Sequence, residues 1–144
     1  MNTKDRFAPW CRTWVLAGLV GMLFWAGCAF DLSHVKLVPA TYTAATGSAP
    51  DFVLSQDVKV KLGTSYPTHL KGGTRWHQVG TTEFGTVFTT TDQVVTVEAS
   101  NIYEAELVVS NQCIVGFYLP VEKKFAPVTR PVPINPQPAN PNSQ

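Results

Sequence analysis

The chain has 144 residues, of which 44% are hydrophobic, and its 11 basic and 10 acidic residues leave a formal net charge of +1. A chain of this length holds one modest domain. Near-neutrality argues against a nucleic-acid partner, because a nucleic-acid-binding protein needs a basic face to neutralise phosphates.

The first 30 residues have the order of a secretory signal. Three basic residues lie within the first 12 positions, and no charged residue occurs from residue 13 to residue 30. The small residues Ala26 and Gly27 then precede Cys28. A positive start, an apolar stretch and small residues before a cleavage point are typical of an export signal.

This segment also resembles the lipobox of bacterial lipoprotein precursors, through the run Leu23-Phe24-Trp25-Ala26-Gly27-Cys28. In that family the cysteine thiol is diacylated, the signal is removed before it, and the new N-terminus is usually acylated. The resemblance implies a signal peptide at residues 1–27 and lipidation of Cys28. Trp25 departs from the family pattern, which prefers Leu or a smaller aliphatic residue there, and the departure bears on cleavage efficiency.

The same resemblance implies a location. Burial of acyl chains contributes about 0.8 kcal/mol per methylene, so two or more chains anchor a protein firmly. By the sorting habit of the family, Ala29 directs the protein to the periplasmic face of the outer membrane. Two alternatives remain open: a plain cleaved signal, or an uncleaved helical anchor over residues 14–30. The anchor would be at the short limit of the roughly 17–25 residues that a span needs.

The composition divides the rest of the chain into three segments. Residues 28–50 are rich in small and polar residues and predict a lipidated N-terminus followed by a spacer. Six prolines after residue 126 predict a disordered, polyproline-type tail over residues 127–144, since proline lacks the amide proton of a central strand. The β domain is therefore expected at residues 51–126.

Between these tails the apolar residues alternate with a period of two, which predicts half-buried strands. Val58, Val60 and Leu62 alternate with lysines. The clearest unit is an antiparallel hairpin of residues 103–109 and 113–119 with a polar turn between them. Further strands are predicted at residues 74–82, 86–89 and 94–99.

The predicted fold class is all-β, a small antiparallel barrel or sandwich. No stretch after Phe30 has helical periodicity over 11 or more residues. The glycines and aromatics of Gly72-Gly73-Thr74-Arg75-Trp76, Gly80 and Gly85-Thr86-Val87 resemble a segment of a small SH3-like barrel. This resemblance covers about 50 residues and implies an SH3-like barrel as one form of the fold.

Candidate catalytic groups are few. Cys113 is the obvious nucleophile, with His34, His69 or His77 as its base, but it alternates in phase with Phe117 and is expected to pack on an apolar face. With Cys28 lipidated, it would also lack a disulfide partner. The histidines lack zinc-site spacing, so no metal or cofactor is predicted. We expect no catalytic residue and no enzyme.

The acidic pair Glu104 and Glu106 shares one strand face, about 7 Å apart by the rise of a strand. Paired carboxylates can bind a cation or serve a glycosidase. On an exposed strand they are more often simply solvated, and we interpret this pair in that way.

Aromatic residues are the better indication of function. Phe117 and Tyr118 cannot both face inward on a regular strand, so Tyr118 with Ile114 is either covered by a second layer or offered to a partner. Trp76, Ile114 and Tyr118 are the candidate partner surface. The preferred hypothesis is a lipid-anchored binding or structural subunit of an envelope assembly. The alternatives are a small cell-wall or lipid hydrolase, and a periplasmic glycan-binding domain that uses Trp76 and its basic neighbours.

Overall fold

Every regular element that the structure describes is a strand. The computed structural model describes residues 35–47 and 51–139, which belong to one compact unit, Leu32–Gln144. The predicted all-β class is therefore confirmed, and the predicted signal peptide and Cys28 lie outside the described residues. The strands are β1 (Val38–Pro39), β2 (Thr43–Ala44), β3 (Phe52–Leu54), β4 (Val58–Val60), β5 (Thr68–Leu70), β6 (Arg75–Thr82), β7 (Gly85–Thr89), β8 (Thr96–Glu98), β9 (Ile102–Glu104), β10 (Glu106–Ser110), β11 (Cys113–Leu119), β12 (Lys124–Pro133) and β13 (Pro136–Pro138).

Nine strands form one antiparallel sheet in the order β1-β12-β11-β10-β7-β6-β3-β13, with β2 also paired to β6. Two small sheets, β4–β5 and β8–β9, complete the pairing. The path of the large sheet ends at β1 and β13, so the described strands do not form a closed barrel. Only Ile134 and Asn135 join β12 to β13. Because that connection spans at most about 10 Å, the sheet curls until its two ends approach each other.

The predicted hairpin is confirmed as β10 and β11, but Tyr103 and Glu104 of its predicted first strand belong to β9, which pairs with β8. Ser110 pairs with Cys113, which leaves Asn111 and Gln112 as a two-residue loop with φ angles of 50° and 61°. Positive φ at both central residues is the type I′ geometry, whose twist matches that of the flanking strands.

A bulge in β11 changes which of its residues face the core. In the pairing with β10, Val108 is opposite Gly116 and Val109 is opposite Ile114, which leaves Val115 as an extra residue. Ile114 and Phe117 both lie in the inner core although they are three residues apart. One extra residue reverses the alternation of a strand. The prediction that Cys113 packs on the apolar face in phase with Phe117 is therefore wrong: Cys113 is half-buried, and Ile114 is buried in its place.

The inner core is the larger of two apolar clusters. Trp76 stacks on Phe52 with ring centroids 6.4 Å apart, and Phe52 meets Phe88 edge-on at 5.0 Å. The hydroxyl of Thr68 in β5 donates to the carbonyl of Thr96 in β8 at 3.1 Å, which joins the two small sheets. The buried members of the inner core are Phe52, Leu54, Val58, Val60, Leu62, Leu70, Trp76, Val95, Val97, Ala105, Leu107, Ile114, Phe117, Leu119, Ala126 and Ile134.

A second apolar cluster, the outer cluster, consists of Val87, Val108, Tyr118 and Phe125. Residues 38–45, which we call the N-terminal segment, pack over it. The ring of Tyr42 stacks on Tyr118 at 5.1 Å, and its hydroxyl donates to the carbonyl of Val79 at 2.7 Å.

The N-terminal segment corrects the prediction of a spacer over residues 28–50. Its two short strands, β1 and β2, pair with β12 and β6. The amide of Thr41 donates to the carboxylate of Glu83 at 2.9 Å. Small residues suit this segment because it must lie close to the sheet. Residues 28–34 and 48–50 lie outside the described residues.

The proline-rich end of the chain also differs from the prediction of a disordered tail over residues 127–144. Residues 127–138 continue β12 and form β13, which pair with β11 and β3. β13 is the last strand of its sheet, and β1 covers only Lys124 and Phe125 of β12. The prolines therefore occupy strand edges, where an absent N–H is tolerated. Residues 140–144 lie outside the described residues.

Candidate functional site

A cleft opens where β7 and β10 separate. The two strands pair as far as Phe88 with Leu107. The chain then leaves the ladder and returns at Val95, whose carbonyl accepts a hydrogen bond from the amide of Ala105 at 3.0 Å. The space between has a volume of about 450 Å³, within the range of roughly 300–1,000 Å³ of small-ligand pockets. We call it the acidic cleft, and its lining is Trp76, residues 89–95, residues 104–106 and Pro120.

Hydrogen bonds fix one wall of the acidic cleft to the neighbouring strands. The carboxylate of Asp92 accepts from the amide of Arg75 at 2.7 Å, and the side-chain oxygen of Gln93 accepts from the amide of Lys71 at 2.9 Å. The Gln93 side-chain nitrogen donates to the carbonyl of His69 at 3.3 Å. This wall is therefore held in place before any ligand arrives.

The charge of the acidic cleft is of one sign. Asp92, Glu104 and Glu106 line it, and none of its lining residues is Lys, Arg or His. Burial raises the pKa of Glu106, and the neighbouring charge of Glu104 raises it further. Burial likewise raises the pKa of Tyr118, with a smaller contribution from Glu106. The arrangement offers hydrogen-bond acceptors and a negative potential.

Trp76 lines the acidic cleft from the inner core. Its side chain is fully buried, and its indole Nε1–H has no acceptor among the described residues. Buried polar groups almost always have a partner, and leaving one without costs about 1–3 kcal/mol. The unpaired N–H is therefore an uncompensated cost within the inner core.

The predicted partner surface is not exposed. Trp76 and Ile114 are fully buried in the inner core, and Tyr118 is 4% exposed in the outer cluster. Tyr42 covers Tyr118, so the alternative of a second layer is the one that the structure shows. The bulge in β11 separates Ile114 from Tyr118, because it turns them to different clusters.

The candidate catalytic residues are not joined. No hydrogen bond or ion pair within the described part of the chain links Cys113 to His69 or His77, and His34 lies outside that part. The Nδ1 atom of His77 lies 2.8 Å from a carboxylate oxygen of Asp51 instead. Among residues 35–47 and 51–139, no group of three potential ligands could hold a metal ion.

The basic neighbours of Trp76 lie elsewhere. Arg75 and His77 line a separate depression of about 530 Å³ together with Val53, Gly73, Thr91 and Asp92. Adjacent strand residues point to opposite faces, which places the side chains of Arg75 and His77 away from the cleft that Trp76 lines. A site that combines Trp76 with basic neighbours, as predicted for a glycan-binding domain, is therefore not assembled here.

The residues that sequence reasoning missed are Asp92 and Gln93. The polar run Thr-Thr-Thr-Asp-Gln at residues 89–93 indicates a loop between two strands. Only the folded chain brings this loop opposite Glu104.

No helix in the described ranges is long and apolar enough to span a membrane. Comparison of the chain with protein-family models, curated proteins and solved structures finds no match in any of the three. Its function is therefore inferred from its own residues.

Proposed function

We propose that this protein is a lipid-anchored lipoprotein of the bacterial envelope that acts as a binding or structural accessory subunit of an envelope assembly. The observation that carries the proposal is the uncharged run at residues 13–30, which places Ala26 and Gly27 directly before Cys28. Acyl chains on Cys28 would hold the protein at the membrane. The proposed location is the periplasmic face of the outer membrane, and the proposed partner is another envelope protein.

In the sequence only six residues separate Cys28 from Val35, and Val35 and Leu37 pack against the inner core. Acylation of Cys28 would confine the protein to the envelope, and confinement raises the effective concentration of its surface for a partner in the same envelope.

Within the all-β class, we propose that the architecture is a β-sandwich. The strand path of the large sheet is open, and residues of both small sheets complete the inner core. The SH3-like barrel that the sequence suggested would require a closed path, which the described strands do not have.

Two other functions make different predictions. A small cell-wall or lipid hydrolase would depend on Cys113, His77 or Glu104, and a glycan-binding domain would depend on Trp76. Binding is supported by the acidic cleft, whose lining includes the acidic residues Asp92, Glu104 and Glu106. If single replacement of Cys113 by Ser or of His77 by Ala abolishes a cellular phenotype at unchanged protein abundance, the hydrolase becomes the better assignment.

The anchor is tested by growing cells with a clickable fatty acid. The wild-type chain should incorporate the label, Cys28→Ser should lose it, and Cys113→Ser is the matched control that should retain it. Mass spectrometry of the mature protein should show an N-terminus at Cys28 with acyl chains attached. A native chain that begins at Met1, or an unmodified thiol at Cys28, would contradict the proposal.

The accessory role is tested by crosslinking in intact envelopes, followed by purification of the labelled chain. We expect one or more envelope proteins to be recovered with it. Recovery of the lipidated chain alone, from both crosslinked envelopes and mild detergent, would argue against a subunit role while leaving the anchor in place.

A further inference from the structure

Backbone hydrogen bonds show which residues of β9 bond to β8. The amide of Ala105 donates to the carbonyl of Val95 at 3.0 Å, and Tyr103 lies opposite Val97 two positions along the same ladder. Hydrogen-bonded pairs alternate with non-hydrogen-bonded pairs in an antiparallel ladder. Tyr103 is therefore bonded to Val97, whereas the residues on either side of Tyr103 direct their N–H and C=O groups away from β8.

Those two residues, Ile102 and Glu104, form the outer edge of β9. Their backbone amides and carbonyls have no hydrogen-bond partner among the residues that the structure describes. In the same part of the chain, β9 pairs with no strand other than β8. The side chain of Ile102 is 72% exposed. A strand edge with free donors and acceptors is a surface on which another extended chain can pair.

The two ends of the large sheet are protected from such pairing by prolines. The amide of Leu54 in β3 donates to the carbonyl of Thr74, on the side away from β13. Pro136 lies opposite Leu54, so Pro136 and Pro138 face outward, where proline offers no N–H. At the other end, Pro39 faces outward from β1, because the next amide donates to β12. Prolines at these positions blunt both edges.

The edges of β4 and β5 are partly covered by other parts of the chain. The carbonyl of Lys61, next to β4, accepts from the amide of Thr129 at 2.8 Å. The side chain of Gln93 accepts from the amide of Lys71 and donates to the carbonyl of His69, as a neighbouring strand would. The outer edge of β9 differs from these edges because it combines free backbone groups with an exposed apolar side chain.

The side chains around the outer edge of β9 indicate which kind of strand fits it. Glu98 lies opposite Ile102, and Glu104 shares the exposed face of β9 with Ile102. Residues directly opposite in paired strands stabilise each other when both are apolar or when their charges are opposite. An added strand therefore fits best with an apolar residue opposite Ile102 and a basic residue opposite Glu104. A second copy of β9 would instead bring the carboxylates of both chains together, which disfavours self-pairing.

We propose that the outer edge of β9 binds an extended segment of a partner protein by strand addition, with an apolar side chain beside Ile102 and a lysine or arginine beside Glu104. Main-chain hydrogen bonds to these two residues hold the segment, and the side chains select it. The assignment rests on the proposed binding role and names the kind of partner, and it is independent of the lipid anchor.

Hydrogen exchange of the full-length chain in mild detergent tests whether the edge is free. The amide of Tyr103 should be protected, and the amides of Ile102 and Glu104 should exchange at least about tenfold faster. Slow exchange at Ile102 would show that another segment of the chain, or a second copy, already pairs with this edge. That result would overturn the assignment.

Binding is tested by NMR titration with the acetylated and amidated pentapeptide Lys-Thr-Val-Thr-Lys, whose valine and lysines share one face of a strand. Methylation of the valine nitrogen removes the N–H that pairs with Ile102 and should weaken binding about fivefold. The matched control is methylation of a threonine nitrogen, which points away from β9. That peptide should bind within about twofold of the parent peptide.

Variants of the protein test the same contact from the other side. Ile102→Pro removes the outward N–H and should weaken binding about fivefold. Ile102→Lys, which places like charges beside the lysines of the peptide, serves if the proline variant is unstable. Its matched control is Tyr66→Lys, which replaces another exposed side chain outside β8 and β9 and should bind as the wild type does. Thermal melting checks that each variant is folded.

Three results would overturn the assignment: equal weakening by the two methylated peptides, equal binding by Ile102→Lys and Tyr66→Lys, or peptide-induced shifts confined to residues outside β8 and β9. A chain that is recovered with envelope proteins but does not bind the peptide contradicts this inference alone. Peptide binding at Ile102 supports the inference even if crosslinked envelopes yield the lipidated chain alone, a result that contradicts only the subunit role.

Discussion

Strands β10 and β11 are apolar on both faces, but the two faces are covered in different ways. On the inner face, Leu107 pairs with Phe117, and both are fully buried among residues of every sheet. On the outer face, Val108 and Tyr118 are buried by a thin layer, in which the short N-terminal segment lies against the sheet. The inner core is therefore a property of the whole domain, whereas the outer cluster depends on one segment.

The outer layer lies close because glycines leave room for aromatic rings. A Cβ atom on Gly80 would meet the ring of Tyr42 at 2.5 Å, and one on Gly116 would overlap the ring of Phe125. Phe84 stacks on Phe125 with centroids 4.2 Å apart, which extends the layer. The two faces are therefore buried in different ways. Alternating apolar residues bury the inner face, whereas aromatic rings packed over glycines bury the outer face.

The largest expected change in unfolding free energy comes from replacing two neighbouring residues, Phe117 and Tyr118, whose side chains point to opposite faces of the sheet. Phe117→Ala should reduce the free energy of unfolding by about 3–5 kcal/mol, because it opens a cavity in the inner core. Tyr118→Ala should cost about 2 kcal/mol, since the thin outer layer can relax into the space. Urea unfolding measures both. Equal losses would mean that the outer cluster is as rigidly packed as the inner one.

A smaller effect is expected where the N-terminal segment approaches the sheet. Gly80→Ala should destabilise the fold by about 1–3 kcal/mol, because the added methyl group displaces Tyr42 and β2. The matched control is Gly47→Ala, whose Cβ would meet no atom within 4 Å. That variant should stay within about 0.5 kcal/mol of the wild type. Rapid hydrogen exchange at residues 38–45 of Gly80→Ala would localise the loss, and uniform exchange would contradict it.

The smallest expected effect is the pH dependence of stability that Glu106 causes. Burial and Glu104 raise the pKa of Glu106 in the folded state, so the folded chain binds this proton more tightly than the unfolded chain. Stability is therefore lost as pH rises from about 4.3, the ordinary glutamate value, through the raised pKa, and is constant above it. Tyr42 and Tyr118 face the same carboxylate.

Glu106→Gln should remove that loss. Its unfolding free energy should match the wild type near pH 4 and exceed it near pH 8, because glutamine imitates the protonated form. Glu98→Gln, which removes an exposed carboxylate, serves as the control for net charge. A difference between Glu106→Gln and wild type that does not grow with pH would show that burial of this charge has no energetic consequence.

Local sequence patterns predicted where strands and turns lie better than they predicted which side of a strand is buried. The alternation of Val58, Val60 and Leu62 correctly predicted their burial. The turn after Ser110 was also predictable, because polar residues separate two apolar runs. The bulge in β11 was not, since no residue type marks where a strand takes an extra residue. One unpredicted residue reversed the environments of Cys113 and Ile114.

The candidate site was predictable only in fragments. Trp76 and the pair Glu104 and Glu106 were visible as unusual residues, but nothing local related them. Asp92 lies beside them because β7 and β10 pair only as far as Phe88 and Leu107, and the chain between Phe88 and Val95 forms a wall of the cleft. The grouping of Trp76 with Arg75 and His77 was not predictable either, since Arg75 and His77 line a different depression.

The sequence by itself determined the all-β class and the type and order of most strands, because a period of two and polar turns act over a few neighbouring residues. It also carries the whole case for lipidation, which depends on a short linear motif. Only the tertiary structure decided that residues 38–45 cover the sheet, that residues 127–138 pair at strand edges, and that acidic side chains from two strands share a cleft with Trp76. Those outcomes depend on contacts between residues far apart in the chain, and a local pattern contains no information about which distant face will be buried.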